Sequence, residues 1–88
     1  MEQYKELLKK IDLLSQLDSA EFVMLAGPID KMQPRVDRLS RRAALVCFDT
    51  GGGSLIHDWL PFSQLRCDPD GTLYLAEWLF RQKVANNV

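Results

Sequence analysis

The stretch from residue 59 to residue 78, WLPFSQLRCDPDGTLYLAEW, constrains the fold more than any other part of the chain. Its turn signal is DPDG at residues 68–71: the proline presets φ, an aspartate can bond the local backbone, and the glycine tolerates a positive φ. We therefore predict a strand, a tight connection that buries Phe62 and Leu65, a second strand and a helix. Both tryptophans are expected to close the hydrophobic core, so Trp59→Ala should unfold the domain.

An antiparallel hairpin is predicted immediately before the DPDG turn. Residues 43–49 (AALVCFD) and 54–60 (SLIHDWL) have strand character, and the glycine-rich residues 50–54 suit a flexible hairpin loop. In the second strand, Leu55, His57 and Trp59 share one face, and Ile56, Asp58 and Leu60 share the other. A buried strand is predicted at residues 21–26, and the last strand at residues 72–75.

Two helices flank the predicted strands. Residues 2–17 carry apolar side chains at spacings of three and four, which form one stripe. Its members are Tyr4, Leu7, Leu8, Ile11, Leu14 and Leu17. The stripe either packs on the domain's own sheet or provides part of a face for a partner or a homodimer. A closing helix is predicted at residues 76–85, with Trp78 and Leu79 facing the core.

These elements predict a single α+β domain that spans residues 1–88. An N-terminal amphipathic helix (residues 1–18) precedes a small antiparallel β-meander or partial barrel of about three to five strands (residues 21–75). A C-terminal helix (residues 76–85) completes the fold. The length of 88 residues suits one domain, and a content of 47% hydrophobic and 26% charged residues argues against disorder.

Composition also narrows the classes of partner and the compartment. The formal net charge is −1, so no global field draws the chain to nucleic acid or to an anionic membrane. No apolar run is long enough to span a bilayer, and the N-terminus lacks the apolar core of a signal peptide, so we expect a cytoplasmic protein without membrane contact. Cys47 and Cys67 lack CxxC spacing and are expected to be reduced and at least partly buried, although a disulfide is possible if their strands are neighbours.

Residues 31–42 form the one strongly charged segment. Five cations stand against Asp37, which gives a formal charge of +4; they are Lys31, Arg35, Arg38, Arg41 and Arg42. These residues are the first candidates for partner binding, either to an acidic protein surface or to phosphates. A solvated hairpin or loop edge, protected by its charges, is the structural alternative. No aromatic residue is interleaved with these basic residues, which disfavours the binding of single-stranded nucleic acid.

An acidic set provides an alternative partner-binding face. Its members, Asp49, Asp58, Asp68 and Asp70, could mimic phosphates towards a basic channel.

No set of residues predicts catalysis or a bound cofactor. His57 is the one histidine, and it points away from the adjacent Asp58, so the pair is not a ready acid–base set. The glycines of residues 51–53 lack the pattern of a phosphate-binding loop, and the spacing of Asp68 and Asp70 lacks the remaining calcium ligands. We therefore predict a non-enzymatic protein with no metal and no cofactor.

The order of motifs from Trp59 to Trp78 resembles a pattern of short phage and prophage proteins. In this chain WLPFSQL is followed by an Asp-Gly turn, a short strand and Glu77-Trp78-Leu79, and the likeness covers residues 42–83. The members of that group are largely uncharacterised, so no catalytic residue carries over. The long loop at residues 50–54 and the N-terminal helix depart from the pattern. The resemblance implies a small β-meander with a terminal helix and residence in a mobile genetic element.

Three functions follow as expectations. The first is a stoichiometric binding protein that docks on a host protein or protein complex and blocks it by occlusion, in the manner of phage inhibitors of host defence such as those that block CRISPR effectors. The second is a small nucleic-acid-binding accessory protein that uses residues 31–42. The third is a structural subunit that forms homo-oligomers through the first helix.

Overall fold

A computed structural model describes residues 2–28 and 33–86 of the chain. Two helices and seven strands lie in these ranges. The helices are α1 (Glu2–Leu8) and α2 (Glu77–Asn86). The strands are β1 (Asp12–Leu13), β2 (Phe22–Met24), β3 (Arg35–Leu39), β4 (Ala43–Asp49), β5 (Leu55–Pro61), β6 (Leu65–Cys67) and β7 (Leu73–Ala76). A short 3₁₀ turn, Phe62–Gln64, joins β5 to β6.

The strands form two sheets that enclose one hydrophobic core. The three-stranded sheet has the order β3-β4-β5, and the four-stranded sheet has the order β1-β6-β7-β2. All pairs are antiparallel except β1 with β6, which is parallel. Residues 25–26 connect the two sheets: the Leu25 N–H donates to the Leu73 carbonyl, and Ala26 pairs with Asp49. The α+β class with flanking helices is therefore confirmed.

The core is built from inward-facing aliphatic side chains of both sheets and one phenylalanine. Among its fully buried members are Leu7, Leu25, Val46, Phe48, Leu60, Leu65, Leu73 and Leu75. Helix α1 docks on this core through Tyr4 and Leu7, and the Tyr4 hydroxyl donates a 2.6 Å hydrogen bond to the Gly71 carbonyl. Gly71 has a φ of 84°, so the predicted DPDG turn needs its glycine and also anchors the first helix.

The central hairpin agrees with the prediction. Strands β4 and β5 pair from Ala43 with Pro61 to Asp49 with Leu55, and the Thr50 N–H closes the loop on the Ser54 carbonyl. The prediction that Cys47 and Cys67 are at least partly buried is also confirmed, since both lie inside the protein.

The first helix is much shorter than predicted. It ends at Leu8, and the Lys9 and Lys10 N–H groups bond to carbonyls three residues back, as in a terminal 3₁₀ turn. Residues 12–13 then pair with β6, and the Leu14 N–H donates to the Cys67 carbonyl. Pairing with an available sheet edge thus overrides the helical periodicity of residues 11–17. Leu17, expected on the apolar stripe, is 91% exposed.

The predicted core positions of the two tryptophans are wrong. Trp59 is 40% exposed and Trp78 is 59% exposed. Trp78 lies beside the buried stripe of α2, where Leu79 is in the core and Phe80 and Val84 pack against it. Its indole N–H donates to the Gln64 side-chain oxygen at 3.1 Å. Leu79 was placed correctly, and so was Leu65; Phe62 is half-buried.

The expected range of about three to five strands was too low. The seven described strands include β3, which lies in the segment predicted as a solvated hairpin or loop edge, and β6, which begins in the predicted tight connection. Strand β3 is charged because it lies at a sheet edge, and β6 has only three residues, Leu65–Cys67, so neither shows a long apolar run.

A pair of leucines from the predicted helical stripe tests the position at which α1 ends. Leu7→Ala removes a fully buried side chain and should lower the unfolding free energy by about 2–5 kcal/mol. Leu17→Ala removes an exposed one and should change it by less than about 0.5 kcal/mol. Urea titration followed by circular dichroism measures both. Equal losses for the two variants would contradict the short helix.

Candidate partner-binding surface

Strict alternation along β4 and β5 gives the three-stranded sheet an inner and an outer face. Ala44, Val46 and Phe48 enter the core from β4, and Ile56 and Leu60 enter it from β5. The intervening side chains therefore lie on the opposite face. We call this surface the Trp59 face and define it by Arg38, Leu45, Leu55, His57 and Trp59.

One row across the sheet joins an arginine, a leucine and a tryptophan. Leu45 of β4 pairs with Arg38 of β3 on one side and with Trp59 of β5 on the other. Leu45 is half-buried, whereas Arg38 and Trp59 are exposed. The guanidinium and the indole thus flank an aliphatic side chain on three adjacent strands whose pairing fixes their spacing.

A β-bulge beside this row places Asp37 between two cationic or titratable side chains. The register of β3 against β4 shifts between Val36 and Arg38, so Asp37 is the extra residue. Its carboxylate accepts a 2.8 Å hydrogen bond from Arg35 Nε and lies 2.7 Å from His57 Nε2. The hydrogen bond from Arg35 lowers the pKa of Asp37 below its usual value of 3.8, and His57 adds to this effect.

The cysteine next to this cluster is not arranged as a nucleophile. Cys47 pairs across the sheet with Arg35 and with His57, and Asp37 could orient the imidazole. Cys47 is only 4% exposed, however, and no hydrogen bond joins its thiol to His57, although the structure describes both residues. Without that hydrogen bond, the imidazole does not activate the thiol in this arrangement.

The structure divides the predicted basic residues into three groups. Arg35 is neutralised by Asp37, and Arg38 lies on the Trp59 face. Arg41 and Arg42 form the exposed tip of the β3–β4 hairpin, where the Ser40 hydroxyl accepts the N–H groups of Arg42 and Ala43. Lys31 lies outside the described residues.

Three of these arginines are available for a partner. Arg38, Arg41 and Arg42 form no ion pair with any residue in the described ranges.

Most of the alternative acidic set is occupied with local contacts. Asp49 accepts the N–H groups of Gly51 and Gly53 in the hairpin loop. The carboxylate of Asp68 accepts those of residues 70 and 72 within the DPDG turn and the Tyr74 hydroxyl.

The carboxylate of Asp58 accepts hydrogen bonds from the backbone N–H of Trp59 and from Lys83 Nζ, the latter at 2.6 Å. The hydrogen bond from Lys83 lowers the pKa of Asp58. Asp70 is exposed. Because three of the four carboxylates already accept hydrogen bonds within the protein, the basic residues are the stronger candidates for partner binding.

Two other kinds of site, a metal centre and a membrane span, are not found among the described residues. Within residues 2–28 and 33–86, no group of three or more histidine, cysteine, aspartate or glutamate side chains is arranged to hold a metal ion. Neither of the two helices described has the length and apolar character that crossing a membrane would require.

Sequence reasoning missed two features of this surface. It placed Leu55, His57 and Trp59 on one face correctly, but it assigned the indole to the core. The polar His57 on the same side was the available signal that this face is the outer one. No local signal predicted the contact between Asp37 and His57, because these residues are brought together by the bulge and by a strand that lies between them.

Comparison of the chain with known protein families, with curated proteins and with solved structures found no match. The resemblance to phage proteins therefore stays a prediction.

The Arg35–Asp37 contact predicts a specific response to acid. A carboxyl group whose pKa is lowered in the folded state stabilises the fold above its unfolded pKa, and this contribution is lost as the pH falls through the lowered value. Thermal unfolding from about pH 5 to about pH 3 should therefore show a shallower loss of stability for Asp37→Asn than for the wild type. Asp70→Asn, at an exposed turn position, is the control. Parallel curves for the wild type and Asp37→Asn would contradict the assignment.

Proposed function

We propose that this protein is a non-enzymatic binding protein that docks on another protein through the Trp59 face. The observation that supports the proposal is the row in which Arg38 and Trp59 flank Leu45 on three paired strands. Tryptophan and arginine are the side chains that most often dominate the energy of protein interfaces. Here one of each lies on a rigid sheet, outside the core.

The free state of this surface suits binding at low cost. The backbone of the row is held by the β3-β4-β5 ladder, so docking need not order a loop. Arg38 has no ion-pair partner among the described residues, so no internal pair must break when it meets a carboxylate. The backbone N–H of Trp59 already donates to the Asp58 carboxylate at 2.7 Å, and Pro61 has no N–H. The edge of β5 is therefore poorly suited to pair with another strand.

These features define the chemistry of the partner. Trp59, Leu45 and the exposed part of Leu55 require an apolar patch, and Arg38 requires a carboxylate beside it. A protein of 88 residues that binds in this way acts by occupying a surface, in a fixed ratio to its partner. Inhibition of a host protein complex by occlusion, as expected from the resemblance to phage proteins, is the form of this function that we favour.

Matched substitutions test the docking surface. Trp59→Ser and Arg38→Glu should each weaken the capture of a protein from a host lysate by at least about tenfold, because each removes an anchor of the row. Trp78→Ser and Arg81→Glu replace the same residue types at exposed positions away from the face and should retain it. Circular dichroism should show all four variants folded. Equal retention of the same protein by all four variants would contradict the proposal, as would an unfolded Trp59→Ser.

A second candidate function rests on the same row. Trp59 offers a stacking surface for a base, and Arg38, Arg41 and Arg42 offer three cations without ion pairs in the described ranges. In the structure an aromatic residue, Trp59, therefore lies in the same row as Arg38, whereas residues 31–42 of the sequence contain none. The net charge of −1 and the single indole on the face make this function second to protein binding.

A titration separates the two functions. If the face binds single-stranded nucleic acid, fluorescence anisotropy with short DNA and RNA should show micromolar affinity at about 50 mM salt and a loss of at least about tenfold at about 200 mM. Trp59→Ser should weaken that binding, whereas Trp78→Ser should not. If protein docking is the function, no binding should appear at the lower salt concentration.

A further inference from the structure

Two surface pockets share one lining residue, Ser63. The first, of about 420 Å³, lies at the β3–β4 hairpin tip and is lined by Arg41, Arg42, Pro61, Phe62 and Ser63. The second is a groove of about 440 Å³ on the four-stranded sheet, and Ser63 lines it as well. The hairpin tip and the groove are therefore neighbours on the surface. Neither includes Arg38 or Trp59.

One small and two aromatic side chains are among those that line the groove. Ala76 is buried, Phe22 is half-buried and the indole of Trp78 is exposed. The Phe22 ring lies 4.8 Å from the Arg66 guanidinium. Arg66 is fixed in turn by hydrogen bonds to the carbonyls of residues 63 and 65 and to the Asp18 carboxylate. The groove is thus a preformed feature of the fold.

The hairpin tip and the neighbouring groove carry opposite charge. Arg41 and Arg42 give the hairpin tip a formal charge of +2, and neither forms an ion pair in the described ranges. The groove has three carboxylates, Asp18, Glu21 and Glu77, against the guanidinium of Arg66 and that of Arg81, which pairs with Glu77, so its formal charge is −1. Asp18 is paired with Arg66 and Glu77 with Arg81, whereas Glu21 is exposed and forms no ion pair with a described residue.

Adjacent patches of opposite charge on one chain are self-complementary about a two-fold axis. If the axis passes near Ser63, the tip of each copy faces the groove of the other, and the same contact forms twice. We propose that this protein forms an isologous homodimer in which the Arg41–Arg42 tip of each copy docks in the Trp78 groove of the other. The aliphatic stems of the two arginines would lie against Trp78, and their guanidinium groups would face Glu21 and Glu77.

A second copy fits these patches better than the interface expected from the sequence. Tyr4 and Leu7 of α1 are buried in the core, so the predicted dimer stripe is largely used within the chain. The tip, in contrast, leaves Arg41 and Arg42 exposed, and the groove leaves Glu21 and the indole of Trp78 exposed. The Trp59 face lies outside this contact, so dimerisation and partner docking can be tested independently.

Charge exchange between the two patches tests the dimer. Sedimentation velocity at about 50 mM salt, from about 10 µM to about 0.5 mM protein, should show a monomer–dimer equilibrium for the wild type. The double variant Arg41→Glu/Arg42→Glu should dimerise at least about tenfold more weakly, because its tip repels the groove. Glu21→Lys/Glu77→Lys should do the same for the converse reason. An equimolar mixture of the two double variants should restore the dimer, since both contacts of the mixed pair are then attractive.

Several outcomes would overturn the proposal. These are a wild type that stays monomeric throughout the range, double variants that dimerise like the wild type, and a mixture that stays monomeric although both variants are folded by circular dichroism. A lysine at position 77 places a positive charge at the N-terminus of α2, where it is unfavourable. If Glu77→Lys unfolds the protein for this reason, Glu21→Lys alone takes the place of the double variant in the mixture. Arg38→Glu and Trp59→Ser should leave the equilibrium unchanged, which separates a failure of this dimer from a failure of the docking surface.

Discussion

The pairing of β4 with β5 is the interaction on which the other features of the structure depend. It runs without a break from Ala43–Pro61 to Asp49–Leu55. Because side chains alternate across a strand, a slip by one residue would move Val46 and Phe48 out of the core and turn Leu45 into it. The same register that builds the core therefore decides which side chains remain outside, and it puts Leu45 and Trp59 together there.

The core is filled without either tryptophan. Leucines from both sheets, together with Val46 and Phe48, occupy it, while Trp59 and Trp78 remain on two different surfaces. Exposed apolar side chains that form a contiguous patch commonly mark sites of interaction. Each surface also carries a residue of defined charge: Arg38 lies in the same row as Trp59, and Glu77 lines the same groove as Trp78. This arrangement is the physical basis for assigning separate roles to the two surfaces.

The parts of the fold that local chemistry determines could be predicted from the sequence. The DPDG turn, the β4–β5 hairpin and the closing helix follow from turn residues and from runs of apolar residues. The end of α1 could not be predicted, because residues 12–13 leave the helical pattern only when the edge of β6 is available. The position of Trp59 depended on knowing which face of an almost wholly apolar hairpin is covered. The contact of Asp37 with His57 required a bulge that has no local signature.

Quenching of Trp59 fluorescence tests most directly the claim that this indole lies on an exposed surface in the same row as Arg38. Trp78→Phe leaves Trp59 as the sole tryptophan. Its emission should be quenched by small ions in solution, and the ratio of iodide to caesium quenching should exceed that of free tryptophan, because the guanidinium of Arg38 attracts the anion. Arg38→Glu should lower that ratio. Emission that neither ion quenches would place the indole in the core and contradict the account.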